Sequence, residues 1–195
     1  MVDVYTEKIG DVWFGVVYEN ETVYGTGFAR NETRVFEGLS DAVKQDLSKQ
    51  EKKKTRFAES VIEVLKNMYN GKDVSHDLRT RSNHLSKYAM TVMDAVSKVP
   101  VGYVTSYGNV AKAVGGGPRA VGQIMARNPF APICPCQRVV KSDLTLGGYG
   151  GGLDMKIAFL KRERRGYKSE KEIALDHGKL LVFPVERVIE KVEKK

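Results

Sequence analysis

A chain of 195 residues with 42% hydrophobic content can bury one sizeable core or two small ones. Its formal net charge of +8 suits an anionic partner such as nucleic acid, and equally a merely soluble basic protein. Two cysteines spaced Cys-x-Cys make no disulfide framework, the three histidines (His76, His84, His177) stand far from them, and neither a signal peptide nor a membrane-spanning apolar run is present, so the expectation is a soluble, cytoplasmic monomer with reduced thiols, no metal and no membrane contact.

In chain order, residues 2–6 and 11–18 read as strands, because Val12, Phe14 and Val16 alternate with Trp13, Gly15 and Val17. Glu19 to Thr22 is a polar turn, and 23–29 closes the hairpin. Ser40 has the form of an N-cap for a helix over 41–50, with Ala42, Val43 and Leu47 on one side. Gln50 to Lys54 is a charged break. The spacing of Phe57, Val61, Ile62, Leu65 and Met68 predicts a helix over 55–70, closed by Asn70-Gly71. Residues 1–75 thus form a small α/β domain, and 76–84 a polar linker. A helix over 84–98 follows, with Leu85, Tyr88, Ala89, Val92, Met93 and Val96 as its stripe, ended by Pro100 and Gly102.

Thr105 or Ser106 can cap a short helix whose inner face is Val110, Ala111 and Val114. Gly115 to Gly117 is a tight turn, and Pro118 to Arg127 a second short helix with proline in its first turn. This is either a helix-turn-helix or an ordinary packed pair of helices. In the first case Ala120, Gly122 and Ala126 allow close approach to a partner surface, and Arg119 and Arg127 serve phosphates or bases. The stretch Pro132 to Val140 is apolar and carries both cysteines and no acidic residue. A cysteine there is either core filler or a nucleophile in a dry pocket. Five glycines within Gly147 to Gly152 let backbone N–H groups approach a ligand, or form a surface turn; no Lys-Ser/Thr follows, so this is not a phosphate-binding P-loop. A helix over 153–164, one strand within 172–183 and a short amphipathic helix ending in exposed lysines complete the chain.

Ser106-Tyr107-Gly108, Pro118-Arg119-Ala120-Val121-Gly122, Met125-Ala126-Arg127-Asn128-Pro129, Pro135-Cys136-Gln137-Arg138-Val139-Val140, Gly148-Tyr149-Gly150-Gly151-Gly152 and Lys156 to Glu163 occur in one order and spacing. In this the chain resembles the O6-alkylguanine-DNA alkyltransferases (methylated-DNA–protein-cysteine methyltransferases) over about residues 84–165. The resemblance implies an α/β (α+β) fold: an N-terminal ribonuclease-H-like domain, then a mostly helical domain at 85–165 with a winged-helix-like helix-turn-helix, and an extension at 166–195. It implies direct DNA repair, in which an alkyl group on guanine O6, or thymine O4, passes irreversibly to Cys136 in a single turnover. The implied partner is double-stranded DNA containing O6-alkylguanine, with no cofactor; the zinc-binding cysteines of some relatives are absent. Carried over, Arg119 fills the gap left by the flipped nucleotide and Tyr107 crowds the adjacent phosphate. Ala120, Gly122, Arg127 and Arg138 join them as DNA contacts. Asn128 holds the turn bearing the cysteine, and Met125 and Tyr149 line the guanine pocket. Backbone groups of Cys136, Val139, Tyr149, Gly150 and Gly151 read the base, and Glu163 closes the activation network.

The chemistry agrees on its own terms. Displacing an alkyl group from an aryl ether oxygen needs a soft, strong nucleophile, and a thiolate is one. A free thiol is only a few per cent ionised near neutrality and needs activation. The departing guanine needs a donor, which a phenol such as Tyr149 or the N–H groups of the glycine loop can supply. The base must leave the stack to reach a buried cysteine, at a cost of a few kcal/mol. The main departure is Gln137, where the family has the histidine that relays the cysteine's proton. A glutamine accepts a hydrogen bond but takes no proton at neutral pH. Three readings follow: slower transfer, with Glu163 and water acting alone or Arg138 stabilising the thiolate; lesion binding without repair; or a substitution of little effect. A helix-turn-helix transcription regulator with a structural cysteine is the alternative from another class. The first reading predicts a reduced ionised fraction of Cys136, and Cys134 is expected in the core.

Overall fold

The computed structural model describes residues 2–176 and 178–194. Met1, Lys195 and His177, the last among the histidines weighed above, lie outside the described residues. The chain divides into two compact units, one of Met1–Met68, Val74–Leu85 and Asn128–Ile133, the other of Tyr69–Asp73, Ser86–Arg127 and Cys134–Lys195.

The first unit is built on an antiparallel meander of β1 (Asp3–Ile9), β2 (Val12–Glu19) and β3 (Thr22–Ala29), in register Tyr5↔Val16 and Phe14↔Phe28. Val12, Phe14 and Val16 are buried as their spacing suggests, but Gly15, Val17 and Tyr18 are buried too, so β2 is covered on both faces rather than alternating. Helix α1 (Glu32–Val43) lies on this sheet so closely that a side chain at Gly15 would meet Val35 at 2.4 Å. The helix expected over 41–50 is therefore misplaced. Asn31 is the N-cap, accepting from Thr33 N at 2.7 Å, and Val35 and Leu39 form the buried stripe. Ser40 stands inside that helix, where its Oγ accepts from Leu47 N at 3.1 Å. Its capping chemistry serves the chain after the helix rather than before it. Helix α2 (Arg56–Tyr69) buries Ala58, Val61, Ile62 and Leu65 as its spacing predicts. Within the polar segment after it, β4 (Arg79–Thr80) adds a strand parallel to β3. Residues 128–133 join this unit through Thr26, whose N–H donates to Pro129 O and whose hydroxyl donates to Ala131 O.

The second unit contains α3 (Lys87–Ser97), β5 (Tyr103–Ser106), α4 (Tyr107–Val114), α5 (Pro118–Ala126), a 3-10 turn at Cys136–Arg138, β6 (Val139–Val140), α6 (Leu153–Arg162), β7 (Lys171–Leu175), β8 (Gly178–Pro184) and α7 (Val185–Glu193). Its four strands form one sheet in the order β6-β5-β8-β7. Over 85–165 four α-helices stand beside only the short β5 and β6, and the single strand read at 172–183 is a hairpin of two. The sequence signal for β7 is weak because most of its residues are exposed. Ser86 and Ser106 cap α3 and α4, accepting from Ala89 N and Asn109 N. The turn between α4 and α5 needs glycine, since Gly115 and Gly116 have φ of 86° and 87° and a side chain at Gly116 would sit 2.2 Å from Tyr88 Oη. The described residues thus form a mixed α/β fold of two four-stranded sheets and seven α-helices. None of these helices is long and apolar enough to cross a membrane. The basic charge is unevenly shared by sequence: the first unit's segments hold 12 Lys/Arg against 13 Asp/Glu, the second's 20 against 11.

Candidate active site around Cys136

Pro135 (φ −80°, ψ 68°) makes an inverse γ-turn, closed by Cys136 N donating to Cys134 O at 2.9 Å. The 3-10 turn that follows is closed by Arg138 N on Pro135 O at 2.8 Å. Two tight turns in succession send neighbouring side chains to different environments. Cys136 is half-buried, while Cys134 and Gln137 are buried. Cys134 Sγ lies 3.8 Å from Met93 O, and burial pushes its thiol far up, so it stays protonated as core.

Glu163 is completely buried and accepts three hydrogen bonds. Gln137 Nε2 and Arg138 Nη2 donate to Oε1, each at 3.0 Å, and Arg138 Nε donates to Oε2 at 2.8 Å. Arg138 Nη1 donates to Val99 O at 2.6 Å. Arg138, expected among the DNA contacts, therefore faces inward with its charge answered by Glu163, and its side chain is 12% exposed. Gln137 Oε1 is buried without a hydrogen-bond partner in the protein. The amide must point this way, because a carboxylate can only accept.

Lys156 is the residue whose role the sequence reading missed. It is fully buried, and its Nζ donates to Val139 O at 2.7 Å, to Gly148 O at 3.3 Å and to Leu146 O. Three acceptors match the three protons of an ammonium. This ties β6 to the glycine loop. Burial lowers its pKa to about 8, while attraction to Cys136 works the other way. The available signal was a lysine on the apolar stripe of α6, between Leu153 and Leu160 at helical spacing. Lys156 Nζ also lies 5.9 Å from the centre of the Tyr149 ring. Burial, then electrostatic interaction with Cys136 and Glu163, raises the Tyr149 phenol well above its usual range, so it remains a donor.

Tyr107 opens α4, and its ring lies against two glycines. A side chain at Gly147 (φ 67°) would meet it at 3.1 Å, and one at Gly122 would meet it at 4.0 Å. Burial, then Cys136, raises its phenol too. Gly151 is similarly confined, its missing side chain lying 2.5 Å from Met155 Sδ and 3.3 Å from Tyr149. Met125 and Val139 are buried. Arg119, Arg127, Gly150 and Gly151 are exposed, and Ala120 and Gly122 partly so. Asn128 belongs to the first unit, where its Oδ1 accepts from Phe130 N at 3.0 Å. The remaining expected residues lie in the second unit. Among the described residues no three His, Cys, Asp or Glu side chains gather as a metal site would require.

The chemistry this arrangement offers is nucleophilic. A thiol stands in a polar, half-open position, near two protonated phenols and a buried ammonium.

The family model described as "6-O-methylguanine DNA methyltransferase, DNA binding domain" matches residues 87–165. A methylated-DNA–protein-cysteine methyltransferase of Pyrobaculum aerophilum is 54% identical over 65 residues, 33% of this chain and 44% of that protein. The similarly named protein of Methanocaldococcus jannaschii is 32% identical over 158 residues, 80% of this chain and 91% of its own length. The chain thus spans under half of the first relative and nearly all of the second. The crystal structure of an O6-methylguanine-DNA methyltransferase from the hyperthermophilic archaeon Pyrococcus kodakaraensis superposes with a TM-score of 0.65 at 28% identity, covering 84% of this chain and 99% of that one.

Proposed function

Because this chain belongs to the methylated-DNA–protein-cysteine methyltransferase family, we propose that it repairs double-stranded DNA directly, taking the alkyl group from guanine O6 onto Cys136 Sγ. The observation that carries this reading is a half-buried Cys136 held by two tight turns directly before Gln137 and Arg138, both of which hydrogen-bond to the buried Glu163; Lys156, Tyr149 and Tyr107 also interact electrostatically with Cys136. The second unit's segments, with their excess of basic residues, supply the affinity for phosphates. The small residues Ala120 and Gly122 let α5 approach a groove, and exposed Arg119 enters the space of the extruded nucleotide.

In the reaction, the thiolate attacks the alkyl carbon as the carbon–O6 bond breaks. The electron pair of that bond stays on the purine. The thiol has lost one proton and the purine gains one, so no further reactant is required. Tyr149, held as a neutral phenol, donates a hydrogen bond to the leaving purine. The ammonium of Lys156 favours the thiolate. Gln137 takes the imidazole's place and donates to Glu163, but it carries no proton away. Activation therefore rests on charge and hydrogen bonding rather than on a base, which makes transfer slower than an imidazole would allow.

The test is intact-mass spectrometry after incubation with a duplex carrying one O6-methylguanine. The expected result is one methyl in place of one proton, on Cys136, and none in Cys136→Ala. Tight binding of the lesion without a mass gain would instead support a lesion-binding protein that signals damage. Preference for a fixed sequence regardless of the lesion would support a regulator.

A further inference from the structure

Residues 166–195 lie beyond the segment that the family model matches, yet they are built into the unit that carries Cys136. β8 pairs with β5 through Tyr103↔Pro184 and Val104↔Phe183, and Leu181 O accepts from Thr105 Oγ1 at 2.8 Å and Asn109 Nδ2 at 3.4 Å. In α7, Val185, Val188 and Ile189 form one buried cluster with Val104, Val140 and Leu160. Leu144 and Leu146 pack against that cluster. Val140 ends the strand that leaves the cysteine turn, and Leu144 and Leu146 lie in the loop that leads into the glycine run. At the surface, Lys191 Nζ donates to Asp143 O in the same loop, and Glu193 pairs with Lys161 of α6 at 2.9 Å.

Residues 141–152 contain no helix or strand, and a run rich in glycine has little stiffness of its own. Its first part is closed by its own hydrogen bonds, Lys141 N on Thr145 O and Leu144 N on Lys141 O, both at 2.9 Å; what fixes the rest lies outside it: Lys156 on the carbonyls of Leu146 and Gly148, and the cluster containing Val185, Val188 and Ile189, against which Leu144 and Leu146 pack. We propose that α7 is a positioning element of the reaction site, with Ile189 and Lys191 holding the segment 139–149 so that Tyr149 stays beside Cys136. This rests on the function proposed above. A reaction of this kind is sensitive to displacements of about 1 Å. Support given by α7 is then felt in the rate of transfer and not in the affinity for undamaged DNA, which Arg119 on α5 and Arg127 just beyond its end govern.

The experiment uses the full chain with Ile189→Ala, Lys191→Met, Lys191→Arg and Glu190→Ala, the last altering an exposed residue of the same helix. Four quantities are measured: amide exchange over 141–149, the single-turnover rate on O6-methylguanine duplex at saturating protein, the Kd for undamaged duplex, and the melting temperature. In Ile189→Ala and Lys191→Met the loop amides exchange about tenfold faster and transfer slows by about tenfold, while Kd stays within about twofold. Lys191→Arg restores the rate, and Glu190→Ala matches the unmodified chain. Lys191→Met removes no core atom, so it stays informative if Ile189→Ala folds poorly. Unchanged exchange and rate in the folded variants would overturn the proposal, as would a loss of rate matched by an equal loss of affinity. If the unmodified chain transfers nothing, the function reading fails, and loop exchange alone decides the positioning claim.

Discussion

Replacing Gln137 by histidine asks directly what the departure from the family's pattern costs. Gln137 is 1% exposed and its Nε2 sits 3.0 Å from Glu163 Oε1. An imidazole in the same place keeps a ring N–H on that carboxylate and turns its second nitrogen toward the volume of Oε1, the atom that now has no partner. A positioned general base contributes about 10²–10⁴ in rate. Here part of that gain is already present in the ammonium of Lys156, and Glu163 is shared with Arg138, so the lower end applies. The expected result is a single-turnover rate on O6-methylguanine duplex raised by roughly 100-fold near neutrality. The assay is quenched-flow loss of the methyl group from labelled DNA between pH 6 and 9, with melting curves to show that the variant is folded. An unchanged or lower rate in a fully folded Gln137→His would refute the reasoning, because proton removal would then not limit the reaction.

Four other outcomes follow from the same geometry. Glu163→Gln leaves the guanidinium of Arg138 largely buried without its counter-charge and should cost about 3–5 kcal/mol in chemical denaturation, whereas Arg138→Met combined with Glu163→Met should recover most of that loss. Lys156 should impose an alkaline limb on transfer, the rate falling as pH rises through about 8 and the ammonium is lost; in Lys156→Arg that limb should vanish. Because the folded-state pKa of Lys156 is depressed, the unfolded chain binds the extra proton between about 8 and the ordinary 10.5, so the contribution of this group to stability rises with pH across that window. Gly147→Ala should displace the Tyr107 ring, which lies 3.1 Å from the position of the added carbon, and slow single-turnover transfer of the methyl group. Under native conditions iodoacetamide should modify Cys136 alone, since Cys134 is buried with its thiol held protonated; alkylation of both before unfolding would contradict the structure.

Local chemistry was readable wherever it used local partners. The strand spacing of Val12, Phe14 and Val16, the serine cap at Ser106, the proline at the start of α5 and the glycines at 115 and 116 all act within a few residues. The failure at Ser40 has the same origin: a hydroxyl can accept from the backbone on either side of it, and only the packing of Val35 and Leu39 on the meander decided where the helix lay. β7 escaped notice because an exposed edge strand carries little apolar alternation.

The sequence by itself determined the strands of the meander, the caps at Ser86 and Ser106 and the glycine turn before α5, because spacing and residue type specify backbone conformation. Tertiary structure alone decided which charges are spent inside. Among 32 basic residues Arg138 carries no local mark of its buried role, and Lys156 only its place on the apolar stripe of α6. Folding put one on Glu163 and the other on three carbonyls, leaving Arg119 and Arg127 at the surface. The reason is physical: a buried cation is tolerated only where distant segments converge to satisfy every donor, and no local pattern records that convergence.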